Sequence, residues 1–529
     1  MIFKKIFKYT SLAVILSVGT YLMWPIPDEG YVSADADINV CSTCTPANVK
    51  YNIRFVPGGY YYPGIVPAGI GLPNKGFYEV AAAYEKLHPD TKITFCDAMA
   101  RREYLVTQLS ASKAPDILNV NVEDVWPDVQ KSWYAPLDNY LNNPNPYIPK
   151  GKPGSVQWWD MFKFQAISRG KLAPNGKMYC ISYDMIETAI YYNKNIFKEV
   201  GVEIPKDWDE FEEIMTKIRK AGYTPIQTVV GIYADWGIDL FLDQLYYNIL
   251  PGIDLVKDPV REKYLQGYLD WDEVCFLFKK GFFTRYDKRY RELWKLIKRF
   301  RKFSNKDIAT EDMIRGFVRG DAAMIWSSNI ISYRFKADKD IDFDWDVFYL
   351  PKFTTNTSKY ASGVPMCVIG GSGAQYEISN SAFSDTGDPK TSERLKRVVD
   401  FMQFITIPEQ YKKIINERPL LIPNIKGVET LPLLRPFEEI LKRRYTTTKW
   451  TYTFDLKFTD ILSRMLLLYL DDYISLDEWI EWQEKNLESA YRRFTRKKHP
   501  DFDAMEKEWQ RLAPIRKNYI DMPELPETK

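Results

Sequence analysis

The chain is 529 residues long, 45% hydrophobic and 27% charged, with a formal net charge of +2 and only two histidines. A chain of that length outruns one hydrophobic core, so two or more domains or lobes are expected, and its apolar content excludes a disordered protein. The balanced charge excludes a general electrostatic footprint for nucleic acid, and His88 and His499, the only two histidines, rule out multi-histidine metal centres and histidine relays.

At the N-terminus Lys4, Lys5 and Lys8 precede an apolar run from Tyr9 to Trp24, the pattern of an export signal. The run is at the short end for a membrane span, and the Ala34-Asp35-Ala36 site lies well downstream of it. Residues 1–36 are therefore expected as a cleaved signal or a retained membrane anchor. No cysteine directly follows the run, so a lipoprotein anchor is not supported. Cys41 and Cys44 are expected as a local disulfide, because two thiolates do not complete a tetrahedral metal site. Cys96, Cys180, Cys275 and Cys367 are scattered singly in apolar or aromatic stretches and are expected as buried small hydrophobes.

The spacing then predicts a strand over 51–56, a Gly/Pro/Tyr loop, a helix over 77–87, a strand over 92–95, a helix over 101–110 and a strand over 116–122. Strand and helix alternate, which predicts βαβ units and a mostly parallel sheet with helices on both faces. A Pro/Asn-rich stretch at 142–149 reads as a loop. Strand pieces follow at 176–183 and 188–193, and then a helix over 208–221. Asp207 supplies that helix with a carboxylate N-cap, and Asp209, Glu210, Glu212 and Glu213 stand where the helix dipole favours negative charge.

From 254 to 306 the chain interleaves basic and aromatic residues, but Leu293, Leu296, Ile297 and Phe300 recur at helical spacing. An amphipathic helix with a solvated basic face is expected there, not a nucleic-acid groove. Asp338, Asp340, Asp342, Asp344 and Asp346 alternate with apolar residues. A calcium loop fails, because Phe343 stands where the sharp turn needs glycine and Tyr349 where a bidentate glutamate is needed. Period two predicts a strand with Ile341, Phe343, Trp345 and Val347 facing inward. No phosphate-binding glycine loop, Gly-x-Ser-x-Gly elbow or His-Glu-x-x-His helix occurs; Gly370-Gly-Ser-Gly373 is a turn signal without the lysine of a phosphate cradle.

Several blocks carry a family resemblance. They are Gly176-Lys-Met-Tyr-x-Ile-x-Tyr183, Ile190-Tyr-Tyr-Asn-Lys-Asn-Ile-Phe197, Glu199 to Phe211, Ala221-Gly-Tyr-Thr-Pro-Ile226, Gly316-Phe-Val-Arg-Gly-Asp-Ala-Ala-Met324, Arg397 to Tyr411 and Pro419-Leu-Leu-Ile-Pro423. In order and content they resemble the carbohydrate-type extracellular solute-binding proteins of ABC importers, over roughly residues 50–425. The resemblance implies a two-lobed, periplasmic-binding-protein-like α/β fold, each lobe a central sheet flanked by helices, with strands crossing between lobes. Mapped by order, lobe one takes 45–182 and 312–350, lobe two takes 183–311 and 359–480, and 481–529 is a helical extension. The crossings fall near Tyr183 and near 349–353. The implied role is capture of an oligosaccharide between the lobes for an ABC permease, by an exported monomer without cofactor, metal or enzymatic activity.

That role gives the aromatic residues, 15% of the chain, a use beyond packing. Sugar rings stack their C–H faces on Trp and Tyr, and their hydroxyls need planar polar partners. Aromatic and acidic residues on loops after strands are the candidates: Tyr60 and Tyr61; Asn121, Glu123 and Trp126; Tyr183 and Asp184; Trp236 and Asp239. Trp326 and Gly363 complete the set. In the family the second and third positions commonly touch sugar, so Glu123 and Asp184 are the leading acids. The chain departs from the family at Ser182, where proline is usual, and at 328–330, where a Gly-x-Trp is replaced by Ser-Asn-Ile. The expected aromatic platform is thus moved to Trp326 or lost. Residues 254–310 and 480–529 have no clear counterpart, and the basic run Tyr491 to Lys498 reads as a solvated helix end or a membrane-facing patch. Two other classes share these features: a secreted glycoside hydrolase, which needs two carboxylates about 5 to 10 Å apart, and a binding protein for a peptide.

Overall fold

The computed structural model describes residues 49–525 except 67–70, 98–101, 122–124, 171, 174, 310–311, 313, 369–371 and 446–454. The export signal, the Cys41/Cys44 pair and Glu123 lie outside the described residues. The strands are β1 (Tyr51–Phe55), β2 (Thr91–Phe95), β3 (Ile117–Asn119), β4 (Cys180–Ser182), β5 (Asp184–Met185), β6 (Thr188–Asn193), β7 (Thr224–Gln227), β8 (Ala322–Ser328), β9 (Trp345–Phe348), β10 (Met366–Cys367), β11 (Gln375–Ile378), β12 (Ile422–Pro423) and β13 (Arg444–Tyr445). The principal helices are α1 (Gly76–Leu87), α2 (Arg102–Ser110), α3 (Gln165–Gly170), α4 (Trp208–Lys220), α5 (Pro259–Tyr264), α6 (Trp271–Lys279), α7 (Lys288–Arg301), α8 (Glu393–Ile405), α9 (Pro408–Ile415), α10 (Leu456–Leu470), α11 (Leu476–Lys498) and α12 (Phe502–Arg511). Among the described residues no helix is long and apolar enough to cross a membrane.

Two sheets organise the chain. The first has order β2-β1-β3-β11-β4, and the second has order β7-β8-β6-β9. Local chemistry explains the elements. Every residue of β6 is buried, as a strand covered on both faces requires. In α4 the Asp207 carboxylate accepts the Glu210 N–H at 3.0 Å, and Trp208, Phe211, Met215 and Ile218 form its buried stripe. Helix α7 does the same with Asp287 as its cap and Tyr290, Leu293, Trp294, Ile297 and Phe300 buried. Its basic residues are largely spoken for by carboxylates: Arg291 pairs with Asp477 at 2.7 Å, Lys298 with Asp472 at 2.6 Å and Arg301 with Asp471 at 2.8 Å.

Several expectations need correction. The segment 312–350 does not join the first sheet: β8 and β9 pair with β6. Conversely β11, from the stretch expected in lobe two, pairs with β3 and β4, and the buried faces of α8 and α9 share a core with β1. Ladder hydrogen bonds and buried faces assign these segments, and order along the chain does not. The boundary at 480 falls inside α11, whose Trp479, Ile480, Leu487 and Ala490 are buried in the second core. The alternating-aspartate strand is confined to β9, because Asp338 folds into a turn in which its carboxylate accepts the Asp340 N–H at 3.0 Å. Cys180, Cys275 and Cys367 are buried, as expected, but Cys96 is disulfide-bonded.

Candidate ligand site

Strand directions locate the crevice before any side chain is considered. β1, β2 and β3 are parallel, and β11 runs against both β3 and β4, so the carboxyl ends of β1 to β4 share an edge with the start of β11. In the second sheet β7 and β8 are parallel and β6 opposes β8 and β9, so the ends of β7, β8 and β9 share an edge with the start of β6. The chain passes from one sheet to the other through 183–187 and again between β9 and β11. Both carboxyl edges therefore face the lobe junction, the place where open α/β sheets bind ligands.

At the centre of the junction is Asp184. Its side chain is fully buried and takes the Tyr61 hydroxyl at 2.5 Å, the Ser372 hydroxyl at 2.7 Å and the Gly373 N–H at 2.7 Å. Burial pushes this carboxyl upward, against the pull of those donors. Burial, with the Asp184 charge, also raises the Tyr61 hydroxyl well above its usual range. A fully buried acid whose two oxygens already accept from two separate loops, one carrying Tyr61 and the other Ser372 and Gly373, brackets the junction and is closed to a ligand. Tyr183 is buried too, its hydroxyl donating to the Met402 carbonyl at 3.0 Å.

The loop before β11 is stitched to β3 as well. Asn119 donates to the Gly373 carbonyl at 3.2 Å and accepts the Gln375 N–H at 3.0 Å. Gly58, at φ +82, lies so close that a Cβ there would stand 1.9 Å from the Asn119 amide nitrogen. On the second edge Glu187 is 1% exposed. Its backbone N–H donates to Asn329 at 2.7 Å, and Asn329 donates to the Leu420 carbonyl at 2.7 Å. Burial pushes the Glu187 carboxyl well up, opposed by the Thr188 N–H, the charge of Arg443 and the Val368 N–H.

The remaining expected residues divide. Asn121 is exposed at the carboxyl edge, and its side-chain carbonyl accepts from Gln375 at 3.2 Å. Tyr60 and Trp236 are half-buried; Trp236 sits on a π-helical turn, Tyr233–Gly237, a distortion frequent at functional sites. Asp239 is buried. Trp126 is buried against Trp271, with ring centroids 5.6 Å apart. Trp326 is fully enclosed in the second core, 5.9 Å from Phe300, so it presents no face to a ligand. Gly363 is exposed and borders no wall. Sequence reasoning missed Asn119, Ser372, Gln375 and Asn329; their only signal was an amide or hydroxyl at a strand end, which is common elsewhere.

A family model described as bacterial extracellular solute-binding protein matches residues 71–411. The chain is 39% identical over 51 residues to the multiple sugar-binding protein of Streptococcus mutans, covering 10% of this chain and 12% of that one. It is 26% identical over 161 residues to the arabinooligosaccharide-binding protein of Bacillus subtilis, covering 30% and 35%. The matched stretches thus span about an eighth to a third of these relatives. Among solved structures, the sugar-binding protein MalE from Xanthomonas citri superposes with a TM-score of 0.56 at 17% identity, over 84% of this chain and 99% of that one. The apo form of RafE from Streptococcus pneumoniae gives 0.52 at 17%, over 86% and 100%. At such identities the likeness speaks for the fold.

Proposed function

This chain belongs to the bacterial extracellular solute-binding proteins, and on that premise we propose that it captures an oligosaccharide between its lobes and presents it to an ABC permease outside the cytoplasm. The observation that supports the reading is the facing of the two carboxyl edges across the crossings, together with the partial or full exposure of Tyr60, Asn121 and Trp236. Rings supply stacking faces and the amide reads hydroxyls, the pairing a sugar needs. Glu123 is the acid of this site, since Asp184 is consumed by its own bracket. Closure works by population shift: a ligand touching both lobes favours the form the permease reads. Export through residues 1–36 and action as a monomer belong to the same proposal.

The test is a thermal-shift screen of an oligosaccharide library on the chain lacking residues 1–36. A ligand at a hundredfold excess over Kd stabilises the protein by roughly 3 kcal/mol, and product analysis on the same mixtures reads turnover. Stabilisation without turnover supports the proposal. Stabilisation by peptides alone, or steady release of shorter sugars, refutes it.

A further inference from the structure

The stretch 254–310, which the family match at 71–411 does cover, and the C-terminal stretch 480–529 beyond that match come together. Phe276 of α6 meets Phe502 and Trp509 at 6.2 and 6.0 Å, Lys280 pairs with Glu506 at 2.7 Å, and Lys288 pairs with Asp521 at 2.7 Å. Val274, Cys275 and Leu277 root this assembly in the second core. From that base α5 reaches over to α3, the helix preceding β4 of the first sheet. Arg261, 8% exposed, donates to the Leu172 carbonyl at 2.8 Å. In the other direction Arg169 of α3 donates to the Tyr264 hydroxyl at 2.7 Å while its guanidinium sits 5.3 Å from that ring. Trp271 adds an edge-to-face contact on Trp126, which follows β3, and is backed by Phe494 at 6.1 Å.

None of these contacts uses the crossing segments, so they join the lobes at a further place, by non-covalent contacts outside the crossings. Lobes that swing about their crossings must break such contacts on opening, because two guanidinium hydrogen bonds and an aromatic pair do not stretch by ångströms. Any free energy the contacts hold therefore belongs to the closed form. We propose that α5 and Trp271, braced by the C-terminal helices, are a latch that holds the two lobes together without ligand. The latch covers the Trp126 ring with protein, which explains why that expected stacking surface is not open, and it gives 254–310 and the C-terminal helices one shared task. A ligand that binds this protein meets a cleft already biased toward closure, so it has less to contribute to the conformational change.

The experiment uses the ligand-free chain with spin labels at Lys86→Cys on α1 and Lys217→Cys on α4, both exposed positions, and reads lobe separation by pulsed dipolar EPR. Tyr264→Phe removes one hydroxyl, and Trp271→Ala removes the aromatic contact. The latch predicts that each variant raises the ratio of separated to closed lobes by on the order of tenfold. Distance distributions in both variants that superimpose on that of the parent overturn it. If Trp271→Ala loses its fold by circular dichroism, Tyr264→Phe decides alone, since it leaves all carbon contacts in place. No sugar enters the measurement, so its outcome is independent of the ligand reading.

Discussion

Replacing Tyr61 by Phe tests whether Asp184 is a structural bracket or a ligand acid. The hydroxyl donates at 2.5 Å to a carboxylate that is fully buried, and a hydrogen bond to a charged acceptor contributes about 1.5–3 kcal/mol. Asp184→Asn keeps the shape and removes the charge that Tyr61, Ser372 and Gly373 converge on, so a loss of similar size is expected. The two residues contact each other directly, and the cycle with the double variant should give a coupling energy of about 1–3 kcal/mol. Urea unfolding followed by tryptophan fluorescence measures it. With a slope of roughly 3 kcal/mol/M, each single variant should move the midpoint by about 0.5–1 M at constant slope. Additive effects within about 0.5 kcal/mol, together with sugar affinity lost in Asp184→Asn at unchanged midpoint, would refute the bracket.

Two further outcomes follow from packing and titration. Gly76→Ala should destabilise the first lobe by about 1–3 kcal/mol, because a Cβ there would stand 2.5 Å from the Lys413 carbonyl oxygen and 2.9 Å from the Ile414 Cα, backbone atoms that cannot rotate away; an unchanged urea midpoint would contradict this. Asp254, next to the latch, is pushed from its ordinary 3.8 up to about 8 by burial and the neighbouring Glu262 carboxyl, with Lys257 opposing and Asp270 adding to the rise. The folded form therefore holds a proton that the unfolded chain releases, so this residue's contribution is full below pH 4 and is lost as pH rises through 8. Midpoints measured from pH 5 to 8 should fall less steeply in Asp254→Asn than in the parent, and equal slopes would sink the assignment.

Local pattern reached a long way into this molecule. The start of α4 is readable from the Asp207 cap and the acidic residues Asp209, Glu210, Glu212 and Glu213 after it, and α7 from Leu293, Leu296, Ile297 and Phe300, because 3.6-residue spacing and a capping carboxylate are properties of a few consecutive residues. The alternating aspartates over 338–344 depart from the expected strand for the complementary reason: period two is necessary for a ladder, yet among the described residues no strand pairs with 338–344, and β6 ends its pairing at Trp345. Both histidines fall at helix ends, His88 after α1 and His499 after α11, as their neighbouring prolines suggested.

The candidate site was legible as a kind of place and not as a set of contacts. Chain direction alone makes aromatic and acidic residues after strands candidates, and of those only Tyr60, Asn121 and Trp236 are half-buried or exposed among the described aromatic and amide candidates. What each one does depends on donors that arrive from far along the chain. From the sequence Asp184 reads as a sugar acid, but Tyr61, 123 positions away, and Ser372, 188 positions away, occupy its oxygens. Trp126 looked like a stacking platform until Trp271 covered it.

Composition, the family blocks and periodicity were enough for a two-lobed α/β binding protein with few proton-transfer groups and an excess of rings, because those features are carried by the identity and spacing of nearby residues. Which lobe holds 312–350, that α11 belongs to a core and is no appendage, and that residues 254–273 reach across to α3 emerged only from the folded chain. Each is a matter of which distant surface a face buries against, and that choice is made by shape and by unsatisfied donors, neither of which is written in the order of the residues.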